Sequence, residues 1–157
     1  MINDWNDINE ISDTLMELLP QKAPFRFLDR ITEVDENHII GQYRFKKDEF
    51  FYKGHFPERP LTPGVILVES MAQTGVVAFG FYLLLKEINS EEVKHNLTVF
   101  TEMEADFRRE VLPGELITIK AEKMFFRRKK LKSKIDLYLE NGELAASAIL
   151  SGMGVPK

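Results

Sequence analysis

The chain has 157 residues, 44% apolar and 29% charged, the size and make-up of one globular domain, 1–157, with a single core. A formal charge of −4 argues against a general nucleic-acid binder, and the absence of cysteine removes disulfides, thiolate nucleophiles and thiolate metal sites. The acidic start Met1-Ile2-Asn3-Asp4-Trp5-Asn6-Asp7 is unlike an export signal, so a cytoplasmic location is expected.

In chain order, Ile11, Leu15 and Leu18 recur at helical spacing, with Ser12 or Asp13 available as caps, and predict a short helix ending before Pro20. Strands are expected from Phe25 to Val34 and from His38 to Phe45, joined by a turn around Asp35-Glu36-Asn37. The loop Gly54-His55-Phe56-Pro57-Glu58-Arg59-Pro60-Leu61-Thr62-Pro63-Gly64 comes next. Val65 to Leu85 then holds no proline and one ionisable residue, Glu69, so it reads as a long helix with apolar residues on every face. A membrane span is the competing reading of that length. Glu69, Ser70, Gln73 and Thr74 within two turns, and the lack of a second such run, argue for burial inside the protein instead.

Four further strands are predicted, Leu97–Phe107, Glu115–Arg127, Leu131–Glu140 and Glu143–Gly152, with a turn at Leu112-Pro113-Gly114-Glu115. Asn141-Gly142 is the strongest hairpin signal in the chain. Ile135, Leu137 and Leu139 alternate with Asp136, Tyr138 and Glu140, as in a sheet with one buried face. The expected class is α+β, one long central helix wrapped by a curved, mostly antiparallel sheet.

Chemistry concentrates around the start of that helix. His55 lies in a loop stiffened by Pro57, Pro60 and Pro63, and a histidine near its ordinary pKa can accept a proton at working pH. Taken alone, a structural or surface histidine is the commoner case. Glu69 is the only charge on the helix; if buried it becomes an acid, and if it pairs with an arginine such as Arg59 or reaches solvent at the helix's first turns, it is structural. Gln73, one turn later, can orient its carboxylate. Gly64 stands where helical amides have no partner and the dipole is positive, so a polarised carbonyl oxygen can dock there. Base, acid and oxyanion donor together suit removal of a proton beside a carbonyl with loss of a hydroxyl, a reaction that requires no metal or cofactor.

These residues resemble those of the 3-hydroxyacyl-acyl-carrier-protein dehydratases of fatty-acid synthesis, the glutamate type, and so resemble a hot-dog fold. Phe50 to Val65 is similar to the family's catalytic loop and Glu69-Ser70-Met71-Ala72-Gln73 to its helix signature. Leu19-Pro20, Pro24-Phe25, Asp29-Arg30, Phe107-Arg108-Arg109 and Pro113-Gly114 extend the likeness over most of the chain from Leu19 onward. The resemblance implies that His55 is the base, that Glu69 of the partner subunit handles the leaving hydroxyl, and that the Gly64 amide polarises the thioester carbonyl. Phe56, Pro63, Val65 and Gln73 would support substrate and helix. It further implies a homodimer or trimer of dimers, an acyl tunnel at the interface, and acyl carrier protein as partner. Gln21, Ala23 and Glu58 depart from the family pattern of histidine, tyrosine and glycine, which leaves chain length and pathway open.

The basic cluster Arg127, Arg128, Lys129, Lys130, Lys132 and Lys134 at a strand-to-strand turn is either a solvated hairpin tip or a docking surface for acidic carrier protein. Two other functions compete with dehydration. A hot-dog thioester hydrolase would use a helix carboxylate without needing His55, and a carrier-binding subunit without catalysis would lose His55 or Glu69.

Overall fold

The computed structural model describes residues 6–157, so the first five positions of the expected span 1–157 lie outside the described residues. Asp7 caps α1 (Ile8–Leu18), its carboxylate accepting the Asn9 N–H at 2.9 Å. Ser12, expected as a cap, is buried instead, and its Oγ accepts the Ile31 N–H at 2.8 Å, tying α1 to the first strand. Asp13 lies exposed within the helix. At the other end the Arg26 guanidinium donates to the carbonyls of Met16, Leu19 and Gln21, which satisfies groups that a helix terminus leaves open.

The first strand is shorter than expected. β1 covers Arg30–Val34 rather than starting at Phe25, because the backbone before it bonds to helix side chains. Phe27 donates its N–H to Gln73 Oε1 at 2.7 Å and accepts from Ser70 Oγ at 2.6 Å, while Phe25 O accepts from Gln73 Nε2 at 2.9 Å. β2 (His38–Arg44) follows a turn in which Asp35 Oδ1 accepts the N–H groups of Asn37 and His38.

The central helix runs unbroken over Gly64–Leu85, in three parts: α2 (Gly64–Ala72), a π-helical turn (Gln73–Ala78) and α3 (Phe79–Leu85). It is long and apolar enough to cross a membrane, yet 78% of its most apolar window is buried inside this domain. The π-helical segment packs against β2, β4, β5 and β6. Close approach is achieved at Gly75, where a Cβ would lie 2.5 Å from Ile135 Cδ1, and the Gly75 carbonyl accepts from Ser133 Oγ at 2.7 Å. A short helix absent from the sequence reading, α4 (Ser90–Val93), is capped by Asn89, whose Oδ1 accepts the Glu92 N–H.

β3 (Asn96–Phe107), β4 (Leu116–Arg127), β5 (Lys130–Tyr138) and β6 (Leu144–Pro156) complete a six-stranded sheet in the order β1-β2-β4-β5-β6-β3, every neighbouring pair antiparallel. β6 extends past the expected Gly152 because Asn96 to Val99 pair with Pro156 to Met153. The core joins the helix to the inner face of the sheet through residues such as Met71, Val77, Phe79, Ile119, Ile135 and Leu150.

Two features at the ends of the sheet bear on function. The turn between β4 and β5 is made by Arg128 and Lys129, both left-handed, with φ of 52° and 60°. That conformation disfavours side chains with a Cβ and suits a tight hairpin. At the far edge, β3 exposes Phe100, Met103 and Phe107, whose β6 partners Gly152, Leu150 and Ala146 face the helix.

Candidate active site

The loop between β2 and α2 aims His55 by local hydrogen bonds. Leu61 donates its N–H to the His55 carbonyl at 3.0 Å, and the Leu61 carbonyl meets His55 Nδ1 at 3.0 Å. A carbonyl oxygen only accepts, so Nδ1 carries the hydrogen in the neutral ring and Nε2 keeps its lone pair. That is the tautomer a general base needs. The Phe56 ring stacks on the imidazole, centroids 4.2 Å apart. The loop is tied to the rest of the chain by Thr62 N–H to Val111 O at 2.8 Å and by Arg59, which donates to both oxygens of Glu110 at 2.8 and 2.6 Å.

At the helix start, the N–H groups of Ile66 and Leu67 both turn to the Pro63 carbonyl. Among the described residues no backbone bond takes those of Gly64 or Val65, which leaves them directed outward at the positive end of the dipole. The Phe107 ring presses on Gly64 so closely that a Cβ there would lie 3.0 Å from Phe107 Cζ. Leu61, Thr62, Gly64, Leu67, Phe107 and Val111, with Arg108, Arg109 and Glu110, line a cleft of about 350 Å³. One chain thus joins the anchor of His55 to the free amide of Gly64.

Glu69 is placed differently. It lies further along α2, only partly buried, and among the described residues it shares no hydrogen bond or ion pair with His55. It does not pair with Arg59, whose guanidinium is occupied by Glu110. Its partner is Gln73, whose Nε2 donates to Glu69 Oε1 at 2.9 Å. Since Gln73 Oε1 is fixed by the Phe27 N–H, the carboxamide cannot turn over, and a donor always faces the carboxylate. Val65, on the helix turn before Glu69, is 75% exposed.

Residues 19–148 match the FabA-like domain. This chain belongs to the FabA-like family. A 3-hydroxyacyl-acyl-carrier-protein dehydratase FabZ of Clostridium botulinum is 36% identical to this FabA-like chain over 118 residues, 74% of this chain and 74% of the relative. One of Acetivibrio thermocellus is 38% identical over 134 residues, 84% of this chain and 86% of the relative. Among solved structures, a chain of the dehydratase heterocomplex ApeI:P from Xenorhabdus doucetiae superposes with a TM-score of 0.70 at 19% identity, covering 91% of each chain. A thioesterase from Haemophilus influenzae does so with a TM-score of 0.65 at 16% identity, covering 98% of this chain and 93% of that one. These two likenesses are of fold, and the fold is the α+β hot-dog arrangement expected from the sequence.

The basic cluster of the FabA-like chain is partly engaged within the chain. Lys129 Nζ donates to Asn96 Oδ1 at 3.1 Å, and Lys130 and Lys132 lie 3.3 and 3.6 Å from the Glu102 carboxylate. Arg127 and Arg128 have no hydrogen bond or ion pair among the described residues, so the free charge of the turn is theirs. Sequence reasoning missed three contacts around the cleft: Phe107 on Gly64, Arg59 with Glu110, and a buried hydrogen bond between Tyr52 and Thr62. No local signal announces them, since Arg59 and Glu110 are 51 positions apart, Phe107 and Gly64 sit on different elements, and a tyrosine and a threonine ten positions apart in a loop are commonplace.

Proposed function

We propose that this chain dehydrates 3-hydroxyacyl thioesters carried on acyl carrier protein to trans-2-enoyl thioesters. The observation that carries the proposal is the Nδ1 hydrogen bond that leaves His55 Nε2 basic in the same loop whose end presents the unpartnered Gly64 amide. His55 Nε2 takes the proton beside the thioester carbonyl while the Gly64 amide holds the charge developing on the carbonyl oxygen. The electrons of the broken C–H bond form the new double bond, and the hydroxyl at the next carbon leaves with a proton from Glu69 of the partner subunit. Gln73 holds that carboxyl in direction. Phe56 and Pro63 shape the loop, and Val65 faces outward toward the partner.

The partner is a second copy, forming a homodimer or a trimer of dimers. Support comes from the open edge of β3 and from Phe100, Met103 and Phe107 exposed beside the helix. For two copies to pair these edges with both helices on one face, the two-fold axis must stand normal to the joined sheet, so the β3 strands run antiparallel. Phe107 of one chain then lies near the Asn96 end of the other. The turn at Arg127 and Arg128 sits at that end, near α3, about 30 Å along the helix from its own Gly64. Carrier docking there would serve the partner's cleft. The span 1–157 is read as one domain and the location as cytoplasmic, a reading that the single sheet and contiguous core support for the domain.

The test is to incubate 3-hydroxyacyl thioesters on carrier protein and on coenzyme A and follow the products by mass. Loss of one water supports the lyase. Free acid would make the chain a thioester hydrolase, and unchanged substrate would make it a binding subunit; either result overturns the proposal.

A further inference from the structure

The loop that carries His55 is mostly exposed: Lys53, Gly54 and Phe56 to Pro60 all face solvent. Its base is closed by a bond of a different kind. Tyr52 and Thr62 are 4% and 2% exposed, and their hydroxyl oxygens lie 2.7 Å apart, a short O–H···O hydrogen bond away from water. Thr62 is the residue next to Leu61, which grips His55 from both sides, through its N–H to the His55 carbonyl and its carbonyl to Nδ1. Thr62 also stands two positions before Gly64, and its own N–H is fixed on the Val111 carbonyl.

We infer that Tyr52 and Thr62 are positioning residues, their hydrogen bond setting where the His55 imidazole stands relative to the Gly64 amide. The inference rests on the roles given above to His55 and Gly64. Packing alone does not require the two hydroxyls, since phenylalanine and valine would fill nearly the same space; what the hydroxyls add is direction. With Thr62 held through both its N–H and its side chain, the short stretch from Leu61 to Gly64 has little freedom, and base and oxyanion donor keep one separation. Burial pushes the Tyr52 hydroxyl up to about 12, so the bond keeps its proton at neutral pH. A reacting pair misplaced by about 1 Å can lose on the order of a hundredfold in rate, so a loosened loop base is read in turnover rather than in binding.

The experiment uses the full-length assembly and a carrier-bound 3-hydroxyacyl thioester, with kcat and KM measured for Tyr52→Phe, Thr62→Val, their double variant and Thr62→Ser. Tyr52→Phe and Thr62→Val should each lower kcat about tenfold with KM within about twofold, and the double variant should be no worse than either. Thr62→Ser, which keeps the hydroxyl, should stay within about threefold of the parent. Parent-like kcat in Tyr52→Phe, a loss confined to KM, additive losses in the double variant, or Thr62→Ser as poor as Thr62→Val would each overturn the inference. Tyr52→Phe removes a single oxygen, so if Thr62→Val does not fold, it and Thr62→Ser decide the matter alone. His55→Ala is run alongside: full turnover there would remove the base itself, a failure of the reading beneath, told apart from a rigid base that does not need Tyr52.

Discussion

Gln73 Nε2 stands 2.9 Å from Glu69 Oε1 while the same carboxamide holds Phe25 and Phe27 by their backbones. One side chain therefore joins the proposed acid to the segment that leads into the first strand. Gln73→Leu should unmake both at once. The Phe27 N–H would be left buried without an acceptor, a change worth about 1–3 kcal/mol, and turnover should fall about tenfold as the Glu69 carboxyl loses its direction. Urea unfolding and steady-state rates read the two effects; a loss of stability with full turnover would reduce Gln73 to a structural tie.

His55→Ala and Glu69→Gln should each lower dehydration by about a hundredfold or more with circular dichroism unchanged. If the site is shared across a two-fold interface, mixing the two variants recovers activity. Random assortment makes about half the dimers mixed, each with one intact site of two, so an equimolar refolded mixture should show roughly a quarter of the parent rate. Recovery of nothing, despite heterodimers proven by mass, would place both groups in one chain's site.

The turn of Arg128 and Lys129 combines a left-handed backbone with the charge proposed to dock the carrier. Arg128→Asn places in a left-handed position a residue that tolerates it and should raise stability by roughly 1 kcal/mol, read from the denaturation midpoint. Reversing charge at Arg127 and Arg128 together should raise KM for a carrier-bound substrate several-fold, and the rise should shrink as salt is added. A KM that is unaffected by both charge and salt would end the docking role.

His38 sits between two carboxylates, its Nε2 2.7 Å from Glu33 and its Nδ1 2.9 Å from Asp35. The hydrogen bond to Glu33 raises its pKa above 6.5, with burial opposing and the charges of Asp35 and Glu33 adding. A raised histidine pKa means the folded state holds the proton more tightly, so this stabilisation is fully present below about pH 6.5 and is lost as pH rises through the folded value. The stability gap between the parent and His38→Gln should be larger at about pH 5.5 than at about pH 9. A gap independent of pH would show that the pair contributes nothing.

Gly75→Ala should cost about 1–3 kcal/mol, because its methyl would meet Ile135 Cδ1 at 2.5 Å and Ala121 Cβ at 2.9 Å. Thermal unfolding should show the loss, and Ile135→Val in the same chain should return part of it. Additive damage in the double variant would mean that the clash lies elsewhere.

What the sequence revealed and what it hid divide along chain separation. The central helix, the hairpin at Asn141-Gly142 and the alternation of β5 are written in neighbouring residues, and all were legible. The π-helical turn was not, because the Gly75 carbonyl takes its hydrogen from Ser133, across a separation of 58 residues. Phe25 to Asp29 reads as strand by local preference, yet the Phe27 N–H and the carbonyls of Phe25 and Phe27 bond to helix side chains, Gln73 lying 46 positions from Phe27. For the site, His55, Glu69 and Gly64 stand out by residue type in an apolar or proline-rich setting. The Tyr52 and Thr62 hydroxyls do not, since tyrosine and threonine are ordinary anywhere in a loop.

The dependence of Phe25–Phe27 on the helix also orders events in time. Ser70 and Gln73 are made more than forty residues after the backbone they hold. On a ribosome adding about 5–20 residues per second, that backbone is made seconds before its partners exist. It cannot close as a strand in the meantime, since none of its bonds except that of Asp29 to Gln42 belongs to the sheet. The support of the proposed acid therefore sets only after the first half of the central helix has been made, and Glu69 gains its fixed direction when that helix meets the segment before β1.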